Sequence, residues 1–350
     1  MSVVAGPRRT RANLLLLLAS AIWGFAFVAQ VAGTQVGAFT FNSSRFLLGA
    51  LSLLPVIVWL DRRNGLTGAE RRRRWRAVAR PGLLIGVLLF AGSSLQQLSL
   101  QFTTAGNAAF VTGLYVVTVP LAGLALGHRI RGSIWVGAGL AVAGLYLLTM
   151  TGGLAAMNTG DLLCLVSTLF WTGHILAVSR FSRRLDPLRL SVAQFVANSL
   201  YAAVAALVLE DAPFTGLATV IGPIAYAGLM SVGVAYTLQV IGQREALPSH
   251  AALIMSLETV FGALGGALFL GERMAPTGYA GAALMLAGII VSQLPTRGPR
   301  PPSRPEPTAG TEVSTRAGVS TRAGVSTRAE SMIRPEPTGS DGSDPRPAVV

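Results

Sequence analysis

The 350-residue chain is 51% hydrophobic and only 12% charged, with a mean hydropathy of +0.56. Soluble domains carry roughly 25% charged residues, so this composition excludes a water-soluble globular protein and assigns the apolar excess to lipid. The net charge of +13 rests on 28 basic residues, all arginine, and their distribution, mostly beside the apolar runs and in the segment after 294, speaks for membrane topology and against a nucleic-acid partner.

A hydrocarbon core of about 30 Å takes roughly 20 apolar residues per helix. By that measure ten spans follow in chain order: 13–33, 39–60, 81–100, 104–127, 133–151, 160–180, 188–209, 219–242, 248–270 and 276–294. Helix is the only spanning choice, because lipid offers the backbone no partners and nothing here alternates like barrel strands. Arg8, Arg9 and Arg11 precede the first span in the manner of a secretory signal. Its apolar run exceeds a signal h-region and nine more spans follow, so it reads as a retained helix. The single Cys164 excludes an intramolecular disulfide and a cysteine-rich metal site.

With residues 1–12 placed inside, the inward segments hold 26 arginines. Of these, eight lie in 61–80, the longest connection of the membrane region, and four in 180–189. Only Arg273 falls in an outward loop, and Arg45 lies within span two. This positive-inside pattern predicts a multi-pass protein of the inner (cytoplasmic) membrane with both termini in the cytoplasm. The run Arg71–Arg74 also suits contact with anionic headgroups of the membrane lipids. The segment 295–350 is rich in Pro, Arg, Ser, Thr and Glu. It repeats Ser-Thr-Arg-Ala-Gly-Val from Ser314 and Arg-Pro-Glu-Pro-Thr from Arg304 and Arg334. Such a stretch buries too little apolar surface to offset chain entropy and reads as a disordered cytoplasmic tail.

The second five spans resemble the first five. Leu14–Trp23 is matched by Leu162–Trp171, whose tryptophans lie 148 positions apart. Leu126-Gly127-His128-Arg129 with Gly137 and Gly144 is matched 144 positions on by Leu270-Gly271-Glu272-Arg273 with Gly281 and Gly288. The fold class predicted is therefore an all-α integral membrane protein: ten transmembrane helices as two five-helix repeats, 13–151 and 160–294. Five is odd, so the second repeat enters the membrane from the opposite side and the two are inverted.

The Trp23 and Trp171 openings resemble the EamA family of the drug/metabolite transporter superfamily. So do Phe41-Asn42-Ser43-Ser44-Arg45-Phe46 at the start of span two and Leu270-Gly271-Glu272-Arg273-Met274. The resemblance implies a ten-helix inverted-repeat bundle that moves small metabolites, amino acids or drugs, often outward. One departure stands out: His128 occupies the place of the glutamate in the family's Gly-Glu-Arg signature.

Glu258 falls near the middle of span nine, where a carboxylate costs a few kcal/mol unless it faces protein or water. It is either a proton-coupling or cation-binding group or a structural hydrogen-bond partner. At an offset of 143, Tyr115 holds the matching position in the first half. Arg45 could hold a substrate carboxylate or phosphate bidentately, snorkel outward, or pair with Glu258. His174 could relay protons or pack. Gln97, with Gln96, Asn107 and Gln194, could bind a polar substrate or join helices. Trp23, Trp171 and Phe25 could line a pocket, and Gly123/Gly127 and Gly262/Gly266 have the spacing of close helix packing. No enzymatic, cofactor or metal motif is found.

The reading is a secondary transporter that exports a small-molecule substrate by alternating access in exchange for protons. A membrane-embedded lipid-modifying enzyme and a non-transporting scaffold are the rival readings.

Overall fold

The computed structural model describes residues 7–103, 105–149, 158–269 and 276–293. Every regular element among them is helical. In order they are α1 (Pro7–Ala32), α2 (Ala38–Arg63), α3 (Gly68–Ser99), α4 (Ala105–Gly113), α5 (Tyr115–Ala125), α6 (Gly132–Thr149), α7 (Thr159–Phe181) and α8 (Pro187–Leu209). Then come α9 (Ile221–Ala225), a π-helical stretch Tyr226–Tyr236, α10 (Thr237–Gly242), α11 (Pro248–Met255), α12 (Glu258–Phe269) and α13 (Pro276–Gln293). Among the described residues six helical stretches are long and apolar enough to cross a membrane: Arg8–Gln35, Ala38–Arg63, Gly68–Ser99, Thr159–Phe181, Pro187–Leu209 and Leu217–Gly242. Shorter apolar helices cover Val111–Ala125, Gly132–Leu147 and Pro276–Ser292. The Gly271-Glu272-Arg273 signature and the segment 295–350 lie outside the described residues.

Local chemistry sets several boundaries differently from the apolar pattern. The connection expected over 61–80 is short, because α3 already begins at Gly68. Thr67 caps it, accepting from the Glu70 backbone while Glu70 accepts from the Thr67 backbone. These bonds hold the Glu70 carboxyl below its ordinary range. The arginines 71–74 are therefore helical residues and not loop residues. Gly127 likewise serves a turn and not helix packing. It takes a left-handed φ of 78°, while His128 and Gly127 donate to the Gly123 and Leu124 carbonyls, closing α5. The start of α2 has only Gly37 at its cap, and Glu210 supplies the missing acceptor. Its carboxylate takes the Phe39 and Thr40 backbone N–H groups at 2.7 and 3.2 Å.

Arg189 sits in a connection where an exposed topogenic charge was expected, yet it is buried. It donates to Asp61 at 2.5 Å and Asp186 at 2.7 Å, and its guanidinium lies 5.6 Å from the Trp75 ring centroid. One cation thus ties the end of α2 to the starts of α8 and α3.

Small residues let the long helices approach closely. On α6 and α13, a Cβ on Gly137 would lie 2.6 Å from the Gly288 carbonyl, and one on Gly144 would lie 2.5 Å from the Gly281 carbonyl. The pairs α2–α8 and α1–α12 also pack along their lengths. Between α2 and α8, Ser43 donates to the Ser199 carbonyl at 3.1 Å and Ser199 returns the bond to Ser43 at 2.9 Å. On α1, Gly24 faces the Glu258 carbonyl and Gly262.

Candidate functional site

Two apolar stretches that the sequence offers as continuous helices are broken, and at matching places. In the first, Leu114 bonds to Val111 and Val117 to Leu114, three-residue closures that separate α4 from α5. Gly113 precedes the break, and Pro120 removes a donor beyond it. In the second, the Ser256 hydroxyl donates to the Leu253 carbonyl, and the Leu257 N–H turns to Ile254. Side-chain competition of this kind unsettles a helix ladder. Tyr115 opens α5 and Glu258 opens α12, so each break presents a polar side chain at its mouth. The Tyr115 hydroxyl donates to Glu258 Oε1 at 3.0 Å.

Both residues line a small interior cavity of about 50 Å³, which a substrate of metabolite size must widen to enter. Arg45 lines it too, only 2% exposed, so it does not snorkel to a headgroup. Its Nε donates to Asn42 Oδ1 at 2.8 Å, and Asn42 in turn donates to Ser94. The guanidinium lies 5.5 and 5.0 Å from the Phe41 and Phe46 ring centroids. The run Phe41-Asn42-Ser43-Ser44-Arg45-Phe46 is thus a cradle that orients one cation. Among the described residues no carboxylate lies within ion-pairing distance of Arg45, and no cation pairs with Glu258. The cavity holds one group of each charge, unjoined.

An aromatic wall closes one side. Tyr236, at the end of the π-helical stretch, is its hub: Trp23 meets it edge-on at 4.7 Å and Trp171 stacks at 6.2 Å. Phe46 and Phe195 flank it at 5.9 and 6.0 Å. Trp23 Nε1 donates to the Ser231 carbonyl at 3.3 Å, whereas Trp171 Nε1 has no partner among the described residues. Thr112 and Gln239 also line the cavity, and among the described residues Gln239 Oε1 has no partner. Buried polar atoms without partners are unusual, and Trp171 Nε1 and Gln239 Oε1 border this space while others lie elsewhere in the bundle.

Of the residues singled out from sequence, Glu258, Arg45, Tyr115, Trp23, Trp171 and Gln96 line the cavity. His174 and Gln97 do not. His174 stands behind the wall, bonded through Nε2 to Gln194 at 2.9 Å and edge-on to Trp171 and Tyr236. Gln97 donates to the Gln30 carbonyl at 3.0 Å and thereby fixes α3 against α1. Phe25 faces a separate apolar cleft with Tyr226 and Leu268, and the Asn107 side chain lies outside the described residues. Sequence reasoning missed Tyr236, Gln30, Thr112, Ser231 and Gln239. A tyrosine and a glutamine in span eight were the available signals.

A profile of the EamA-like transporter family matches residues 10–150 and again 158–293. A transporter of uncharacterized function from Archaeoglobus fulgidus is 32% identical over 83% of this chain and 88% of its own length. The threonine/homoserine exporter RhtA of Escherichia coli is 27% identical over 81% of this chain and 91% of its own. One solved crystal structure overlays with a TM-score of 0.66 at 17% identity, covering 81% of this chain and 96% of the other, a likeness of fold alone. With these matches beside the apolar helices and their central polar cavity, the chain belongs to the EamA-like transporter family of the drug/metabolite transporter superfamily and is a multi-pass membrane transporter.

Proposed function

We propose that the protein is a secondary active exporter of a small zwitterionic metabolite of the amino-acid class, working in exchange for protons across the inner membrane. The carrying observation is the pair of unjoined opposite charges, Arg45 and Glu258, in one aromatic-walled cavity. A guanidinium held by Asn42 and two phenyl rings suits a carboxylate. Glu258 suits an ammonium group, and Trp171 Nε1, Thr112 and Gln239 suit a polar side chain such as a hydroxyl. The exporter RhtA, named for threonine and homoserine, is of that chemical kind.

Proton exchange follows from competition. When Glu258 is protonated its attraction for an ammonium group is lost, so substrate and proton exclude one another at the same carboxylate. A carrier that crosses with one or the other is an antiporter.

Alternating access requires two mobile units about the site. Two inverted five-helix repeats, 13–151 and 160–294, meet that need, with both termini in the cytoplasm as the arginine distribution indicates. Pairing across α6 and α13 supports the repeats. Under the 144-residue offset the Gly137–Gly288 approach becomes Gly281–Gly144, which is also present. Tyr115 and Glu258 are matched residues that touch each other, as residues near a two-fold axis do.

The test is efflux from proteoliposomes loaded with single labelled amino acids. An inward proton gradient should accelerate efflux of a hydroxylated aliphatic amino acid. Transport confined to compounds lacking either the carboxylate or the ammonium would overturn the zwitterion reading, and gradient-independent efflux would overturn antiport.

A further inference from the structure

A second cavity opens between the α5–α6 connection, the end of α7 and the start of α11. It encloses about 410 Å³. His128, Arg129, Arg180, Arg183 and Arg184 line it, and among the described residues no acidic side chain does. Among the described residues the ion pairs of this region use Arg74 and Arg189 with Asp61 and Asp186, leaving the four lining guanidiniums without a carboxylate. Ser179 and Ser249 form a buried part of the lining. Ser179 is 4% exposed, and its Oγ has no hydrogen-bond partner among the described residues.

Arginines that only set topology need to lie near the ends of spans. They need neither a shared cavity nor a buried hydroxyl with nothing to bond. Four like charges around one opening repel each other, and a multiply charged oxyanion relieves that repulsion while accepting from the guanidinium forks and a serine hydroxyl.

We propose that this cavity binds a phosphate-bearing anion: the shared chemistry of an anionic phospholipid headgroup and a soluble phosphate. Basic pockets between membrane helices take headgroups in this way. The site is separate from the central cavity, with which it shares no lining residue.

Native mass spectrometry and thermal unfolding of the full-length protein in neutral detergent test this, with inorganic phosphate, phosphatidylglycerol and phosphatidylcholine as probes. Saturable binding of phosphatidylglycerol over phosphatidylcholine is expected if the source is lipid, and binding of inorganic phosphate if it is soluble. Changing Arg180, Arg183 and Arg184 together to lysine preserves the topogenic charge but removes the forks, and should weaken binding about tenfold. Ser179→Ala, which leaves every arginine in place, should weaken it severalfold on its own. Absence of binding by both anionic probes, or unchanged binding in the serine variant and in a folded lysine variant, would overturn the proposal.

Discussion

The Tyr115 hydroxyl donates to Glu258 Oε1 at 3.0 Å, joining the first residues of α5 and α12 across 143 positions of chain. Each stands where a long apolar stretch breaks, so the one carboxylate that lines the cavity among the described residues is held by its own counterpart. A hydrogen bond at such a point couples the two breaks mechanically.

Glu258→Gln retains the shape and the bond from Tyr115 but removes titration. Substrate counterflow should persist in proteoliposomes while accumulation driven by a pH gradient disappears. A glutamine variant with the wild-type pH response would leave Glu258 a structural residue. Tyr115→Phe should cost about 1 kcal/mol of stability, the scale of an interhelical hydrogen bond in a membrane.

Arg45→Lys keeps the charge but loses the planar donors that Asn42 and the phenyl rings orient. The apparent affinity for a zwitterionic substrate should fall about tenfold or more, one charge-assisted bond's worth. Its decarboxylated amine analogue should be far less affected. Equal losses for both compounds in a competition assay would mean that Arg45 shapes the cavity without touching the carboxylate.

The crossing of α6 and α13 has no room for a side chain at Gly288, whose Cβ would lie 2.6 Å from the Gly137 carbonyl. Gly288→Ala should lower stability by about 1–3 kcal/mol, the range for overpacking, read as a reduced unfolding temperature in detergent. Ala at Gly139, where nothing lies within 4 Å, should be neutral and serves as the control.

Arg189→Ala leaves Asp61 and Asp186 without their shared cation, and Asp61 is only 5% exposed. Removing one member of a buried pair costs about 3–5 kcal/mol. Faster amide exchange at the junction of α2 and α8 should accompany the loss. Arg72→Ala, on the exposed side of α3, should have little effect.

Reporter fusions locate the ends of the bundle. Insertions at Gly65, an open turn with φ 63°, should report cytoplasmic and those at Asp211 external. A cytoplasmic signal at Asp211 would break the inverted arrangement.

The apolar helices, the arginine asymmetry and the two-part family match were legible in the sequence because each is a property of composition along the chain. Lipid demands about 20 apolar residues per crossing, and that demand is read without knowing any neighbour. The repeated tryptophans and glycines showed themselves in the same way, and Glu258, Arg45 and Tyr115 were visible as polar residues that apolar stretches do not otherwise tolerate. Their convergence was a different matter. Arg45, Tyr115, Tyr236 and Glu258 lie on four separate elements, and only packing brings them to one cavity. His174 and Gln97 had the same sequence credentials, yet hydrogen bonds to Gln194 and Gln30 turn them to structural work. The helix breaks were hidden because hydropathy measures burial and not hydrogen-bond register: Ser256 looks like any small residue until its hydroxyl takes the Leu253 carbonyl. Arg189 and Glu210 were hidden for a related reason. Charge near a span end predicts which side of the membrane it lies on, while the partner it meets there is set by tertiary contacts more than a hundred residues away in the chain.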